Sequence, residues 1–136
     1  MDSKQQYKMD WLSRARQAEH TLATLQVLQA RDTQMIQQLE PYQKDCQKLY
    51  QRLQQTQEAI KTETIMLAEF REEVRAVISA IPDTEIRNIF LRKYLCYETN
   101  EQIAEAMFFD VRTIQRKHKK ALDTLIIPDI ENPAGT

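Results

Sequence analysis

"CQKLYQRLQQTQEAIKTETIMLAEFREEVRAVISAI", residues 46–81, contains neither glycine nor proline. Its apolar positions recur every three or four residues. Cys46, Leu49, Leu53, Thr56, Ile60, Glu63, Leu67, Phe70, Val74, Val77 and Ile81 follow those steps, and all but Thr56 and Glu63 are apolar. That spacing is a heptad seam, the pattern of a helix packed lengthwise on another helix. At ~1.5 Å per residue such a helix runs on the order of 55 Å, and it cannot bury its stripe alone.

Upstream lies a weaker seam of Trp11, Ala15, Ala18, Leu22, Leu25, Ile36 and Leu39. Gln29 and Asp32 interrupt it, and the neighbouring Leu28 and Met35 could shift the contact by one position. The spacing predicts two long helices, about 4–39 and 42–80, forming a helical, dimerising arm over residues 1–81. Its packing residues are Trp11, Leu22, Leu25, Leu49, Leu53, Ile60, Leu67, Phe70 and Val74. Pro41 stands between the two helices. It either opens the second, where its missing N–H costs nothing, and the pair folds back as a hairpin, or it kinks one longer rod. The sharp break at "EPYQKD" favours the hairpin. Fourteen of the sixteen glutamines precede residue 58. The apolar periodicity running through them marks a solvated helix face rather than a low-complexity tract.

Composition narrows the class. The single glycine is Gly135, so phosphate-cradling loops, dinucleotide fingerprints and primed hairpin turns lack the residue they need. No segment alternates as a strand does, and Gln, Glu, Lys, Ala and Leu dominate. The fold class is all-α: two long coiled-coil-like helices followed by a small helix-turn-helix domain. Cys46 and Cys96 read as reduced thiols, and no apolar run reaches the roughly 20 residues of a membrane span. The expected location is cytoplasmic, with no membrane contact. His20 and His118 have no cysteine at metal-ligand spacing, and no nucleophile or loop scaffold supports catalysis. The chain is read as a non-enzyme without cofactor or metal.

After Pro82 the texture changes. "PDTEIRNIFLRKYLCYE" carries acids in its first turn and Ile86, Ile89, Phe90 and Tyr94 on one side, as suits a helix start. In "TNEQIAEAM" Thr99 and Gln102 have capping-box spacing. "FFD" interrupts, and Asp110 caps a third helix from Val111 to about Leu125. Ile114, His118, Ala121, Leu122 and Leu125 form the apolar side of that helix. Three short helices with a brief turn between the last two make a helix-turn-helix candidate over 82–126, and 127–136 reads as a flexible tail.

The formal net charge is only −1, yet residues 112–120 hold five cations. With the apolar side turned inward, Arg112, Thr113, Gln115, Arg116, Lys119 and Lys120 remain for a ligand. Arginine and glutamine can bond guanine and adenine edges bidentately, whereas the lysines suit phosphates. Thr99 and Gln102, at the start of the preceding helix, complete the expected DNA-binding set.

These residues also carry a resemblance. "AIPDTEIRNIFLRKYLCYETNEQIAEAMFFDVRTIQRKHKKAL" (80–122) resembles region 4 of bacterial sigma factors, and more closely the small phage transcriptional regulators of the ArpU and RinA type. The carrying features are Pro82, "LRKY" at 91–94, "QIAEAM" at 102–107 and "IQRKHKKAL" at 114–122. The resemblance implies a phage-encoded transcriptional regulator, an activator of late genes, with double-stranded DNA as partner and possible contact with host RNA polymerase. It also implies recognition through Arg112, Thr113, Gln115 and Arg116. Phe108 departs from the glycine or asparagine common in relatives, which implies strain or a different turn. Lys117 replaces a common apolar residue, loosening the helix or enlarging its basic face. The alternative reading is a coiled-coil adaptor or a polymerase- or sigma-binding protein without DNA readout.

Overall fold

A computed structural model describes residues 2–128, and all but the first two residues of the expected tail lie outside the described residues. The elements are α1 (Ser3–Leu12), α2 (Arg14–Leu39), a 3-10 turn (Glu40–Tyr42), α3 (Gln47–Ser79), α4 (Thr84–Tyr94), α5 (Asn100–Met107) and α6 (Val111–Thr124). No strand occurs among the described residues, so the chain is all-α as read. Two corrections concern the long helices. The helix expected over about 4–39 is broken at Ser13, whose N–H bonds back to the carbonyls of Met9 and Asp10. The second long helix starts at Gln47 rather than near 42. Pro41 sits inside the 3-10 turn, Gln43 takes a left-handed conformation (φ 52°), and the Asp45 carboxylate accepts from the Gln47 N–H.

Trp11 and Leu12 close α1. Both are buried just before the break. They belong to the core that α4–α6 build, together with Val74, Ile78, Ile89, Phe90, Ile103, Ile114 and Leu122. The compact units divide accordingly. One comprises residues 1–16 and 70–136, and the other is Gln17–Glu69. The first of these units runs across the expected boundary at 81/82, because α1 and the last third of α3 supply core to the C-terminal helices. Trp11, Phe70 and Val74, expected as packing residues of the arm, all lie in this first unit.

The chain folds back rather than running on. Arg14, at the start of α2, meets Glu73, near the end of α3, at 2.6 Å, and its guanidinium lies over both Trp11 and Phe70. Within Gln17–Glu69 the seam is legible: Leu22, Leu25, Leu49, Leu53, Ile60 and Leu67 are half-buried, and Ile36 and Cys46 are buried. Gln29 and Asp32 are half-buried too, so they interrupt the seam chemically without displacing it.

α1 holds α6 from behind. The Gln5 amide donates to the Asp123 carboxylate (2.6 Å) and to the Lys119 carbonyl (3.4 Å), and Lys8 Nζ donates to the Leu122 carbonyl (2.7 Å). Deeper in, the Tyr94 hydroxyl and His118 Nε2 are 2.6 Å apart, with the Phe90 ring 5.0 Å from the imidazole. Burial raises the Tyr94 pKa, so its O–H is retained and can donate to a neutral imidazole.

Two outcomes are expected. A fragment beginning at Ser79 lacks Leu12, Val74 and Ile78, each of which contributes about 1.5–3 kcal/mol by burial. It should show no cooperative thermal transition by circular dichroism. The second concerns pH. Burial, and after it the charge of Lys93, lowers the His118 pKa from 6.5 to about 4. The unfolded chain therefore binds more protons than the folded one between those values. This contribution is complete above 6.5 and is lost as pH falls toward 4, by roughly 3 kcal/mol. Urea midpoints at pH 7.5 and 4.5 should differ accordingly, and His118→Gln should shrink the difference.

Candidate nucleic-acid interface

The surface begins with the geometry of α5. Thr99 Oγ1 accepts from the Gln102 N–H (3.1 Å), and the Gln102 side-chain oxygen accepts from the Thr99 N–H (2.8 Å). This is the capping box expected from the spacing, and it satisfies two N–H groups reciprocally. The oxygen atoms of both residues are thus committed to the cap. The Thr99 hydroxyl proton and the Gln102 amide protons form no bond among the described residues, and both residues are exposed.

α5 ends at Phe108, left-handed at φ 62°, ψ 38°, and the Phe109 N–H closes the turn on the Ala104 carbonyl (3.0 Å). Asp110 then caps α6, accepting from the Thr113 N–H at 2.7 Å. That bond holds the Asp110 carboxyl below its usual pKa, and the charges of Arg112 and Arg116 lower it further. The acid that precedes the basic stretch is thereby kept ionised at the helix start, where a negative charge is favoured.

α6 is divided by its own periodicity. Ile114, His118 and Leu122, spaced by four, are buried. Arg112, Gln115, Arg116, Lys119 and Lys120 are exposed on the opposite arc, since steps of three and four return to one face. Thr113 is half-buried between the two faces. Arg112, Arg116, Lys119 and Lys120 form no ion pair among the described residues. Lys117 differs. Its Nζ is 3.5 Å from Glu85 and 5.5 Å from the centre of the Phe109 ring, so it ties α6 to α4 and to the turn. It is committed to these contacts rather than standing free on the basic face.

The acids are held elsewhere or neutralised in place. Glu98 pairs with Arg92 at 3.1 Å, while Glu101 and Glu105 lie on α5. Lys93 bonds the Asn100 side chain (3.0 Å), and its pKa is lowered by desolvation first and by Arg16 second, with Glu101 opposing. A groove of about 800 Å³ runs beside α6, lined by Val77, Ile81, Ile86, Ala121 and Leu125 with Arg116 and Lys120 at its side.

Sequence reasoning missed the residues that position α6 from a distance. Gln5 and Lys8 reach it across more than a hundred residues, and the Tyr94–His118 bond spans 24. No local spacing announces such pairs. Among the described residues no group of His, Cys, Asp or Glu side chains could hold a metal ion, and no helix is long and apolar enough to cross a membrane. Cys46 and Cys96 are free thiols. Comparison with protein-family models, with curated proteins and with solved structures gives no match.

Proposed function

We propose that this protein is a sequence-specific, double-stranded-DNA-binding transcriptional regulator that works as a homodimer. One observation carries the reading: Arg112, Gln115, Arg116 and Lys119 lie exposed on one stripe of α6, alongside the buried Ile114–His118–Leu122 row. A capped helix of fourteen residues, preceded by a three-residue connection from α5, has the proportions of the second helix of a helix-turn-helix. In that role Arg112, Gln115 and Arg116 reach base edges. Lys119, Lys120 and the free donors of Thr99 and Gln102 take phosphates. The resemblance to ArpU- and RinA-type regulators implies phage late genes as the target and host RNA polymerase as a further partner.

The dimer is supported by what the hairpin lacks. In Gln17–Glu69 only Ala18, Ile36 and Cys46 are buried, while Leu28 and Met35, one heptad apart on α2, are exposed, as is Val27. Two helices with so little covered apolar surface gain by packing on a second pair. Tethering two reading helices then tightens binding about 10²- to 10⁴-fold over one.

A second reading, protein docking without DNA readout, is favoured by the apolar groove beside α6. Salt separates the two. Phosphate contacts release counterions, and affinity falls steeply with ionic strength, whereas an apolar groove responds weakly.

Fluorescence anisotropy on a duplex selected from a random pool tests the DNA reading. Arg116→Ala should cost about 1–3 kcal/mol on the selected duplex and little on a scrambled one. Lys119→Ala should weaken both alike and lower the salt slope by about one ion. Unchanged binding by the Arg112→Ala/Arg116→Ala variant would remove the assignment. For the dimer, light scattering of Leu28→Glu/Met35→Glu should give half the native mass with unchanged helicity, and DNA affinity should drop at least about tenfold. A native chain of monomer mass would contradict it.

A further inference from the structure

Phe108 is 93% exposed, the most exposed of the large apolar side chains among the described residues. It also holds a left-handed backbone (φ 62°), a conformation in which Cβ crowds the following carbonyl and which glycine or asparagine ordinarily takes at a helix end. Both features work against the free protein. The strain is a conformational cost, and the exposed ring gains nothing from the core. The turn, moreover, is complete without that ring. Phe109 supplies the apolar contact to the core and stacks beneath Lys117, and the Phe109 N–H closes the turn on Ala104.

The ring stands four residues before Arg112, at the end of α6 from which the exposed arginines and Gln115 are displayed. It is flat and uncharged, so it has no bond to offer a phosphate. On a DNA duplex the apolar group accessible in the major groove is the C5-methyl of thymine. We propose that Phe108 is a specificity-determining residue that packs on a thymine methyl at the edge of the sequence read by Arg112 and Arg116. The proposal rests on the DNA reading above. The conformational cost of the turn in the free protein is then offset by a contact made only in the complex.

Uracil in place of thymine removes that methyl and nothing else. The selected duplex is therefore prepared with each thymine changed singly to deoxyuridine, and the full chain is titrated as wild type, Phe108→Gly and Phe108→Asn. Both substitutes tolerate positive φ, so melting temperatures at or above wild type are expected. One thymine position should weaken the wild type about fourfold when demethylated, the value of one buried methyl group. Phe108→Gly should bind the thymine duplex at least about fourfold more weakly and show no further loss at that position. Phe108→Asn should behave likewise. The inference is overturned if no position is sensitive to the methyl, if both variants bind as tightly as wild type, or if their uracil penalty equals that of the wild type. A random pool that yields no preferred sequence overturns the DNA reading as well, which separates the two failures.

Discussion

The hydrogen bond between the Tyr94 hydroxyl and His118 sits at the middle of the one helix that faces two ways. His118 is the only polar member of the inward row on α6, and a buried imidazole without a partner would cost on the order of 1–3 kcal/mol. Pairing it with Tyr94 fixes α6 in rotation as well as in position. A turn of one residue about the helix axis, 100°, would bring Lys117 or Lys119 into the place of His118 and carry Arg116 or Gln115 toward the core. The exposed cationic arc is therefore the reverse side of a buried constraint. Phe90, packed against both rings, removes the space in which a different rotation could settle.

The second constraint comes from the chain's other end. α1 reaches the C-terminal half of α6 through side chains that bond backbone carbonyls, and the Leu122 carbonyl, in the last turn, is one of those that lack an intrahelical partner. Lys8 at the Leu122 carbonyl also places a cation where the helix dipole favours one. Arg14 continues the arrangement, covered by two aromatic rings and closed by Glu73. α6 is thus held by packing from α4 and α5 and by polar contacts from α1.

What could be read in the sequence follows from the range of each interaction. The seam of α3, the capping box of α5, the Asp110 cap and the two faces of α6 are all set within one or two turns, and local spacing displays them. The break at Ser13 carries no proline or glycine, so no local residue announces it. Trp11 fitted a seam position by spacing, yet most of the core it joins lies more than sixty residues away. Lys117 was legible as a departure, but its use was not, because Glu85 and Phe109 are brought to it by the fold. The stripe on α6 stands where the sequence placed it, while the residues that hold α6 steady are all distant.

Because α1 and α6 are neighbours in space but separated by more than a hundred residues, the unit they share is discontinuous in the chain. During synthesis Trp11 and Leu12 are made long before any of α4–α6 exists to cover them. Closing so long a loop is slow for an unstructured chain, and topology of this kind lowers the folding rate. The intervening segment changes that arithmetic. α2 and α3 are local helices, and once they pair, Arg14 and Glu73 are brought together. What remains to be closed is then the short path from the hairpin base to α6 rather than the whole intervening chain. Pairing of the long helices would thus shorten the loop that burial of Trp11 has to close.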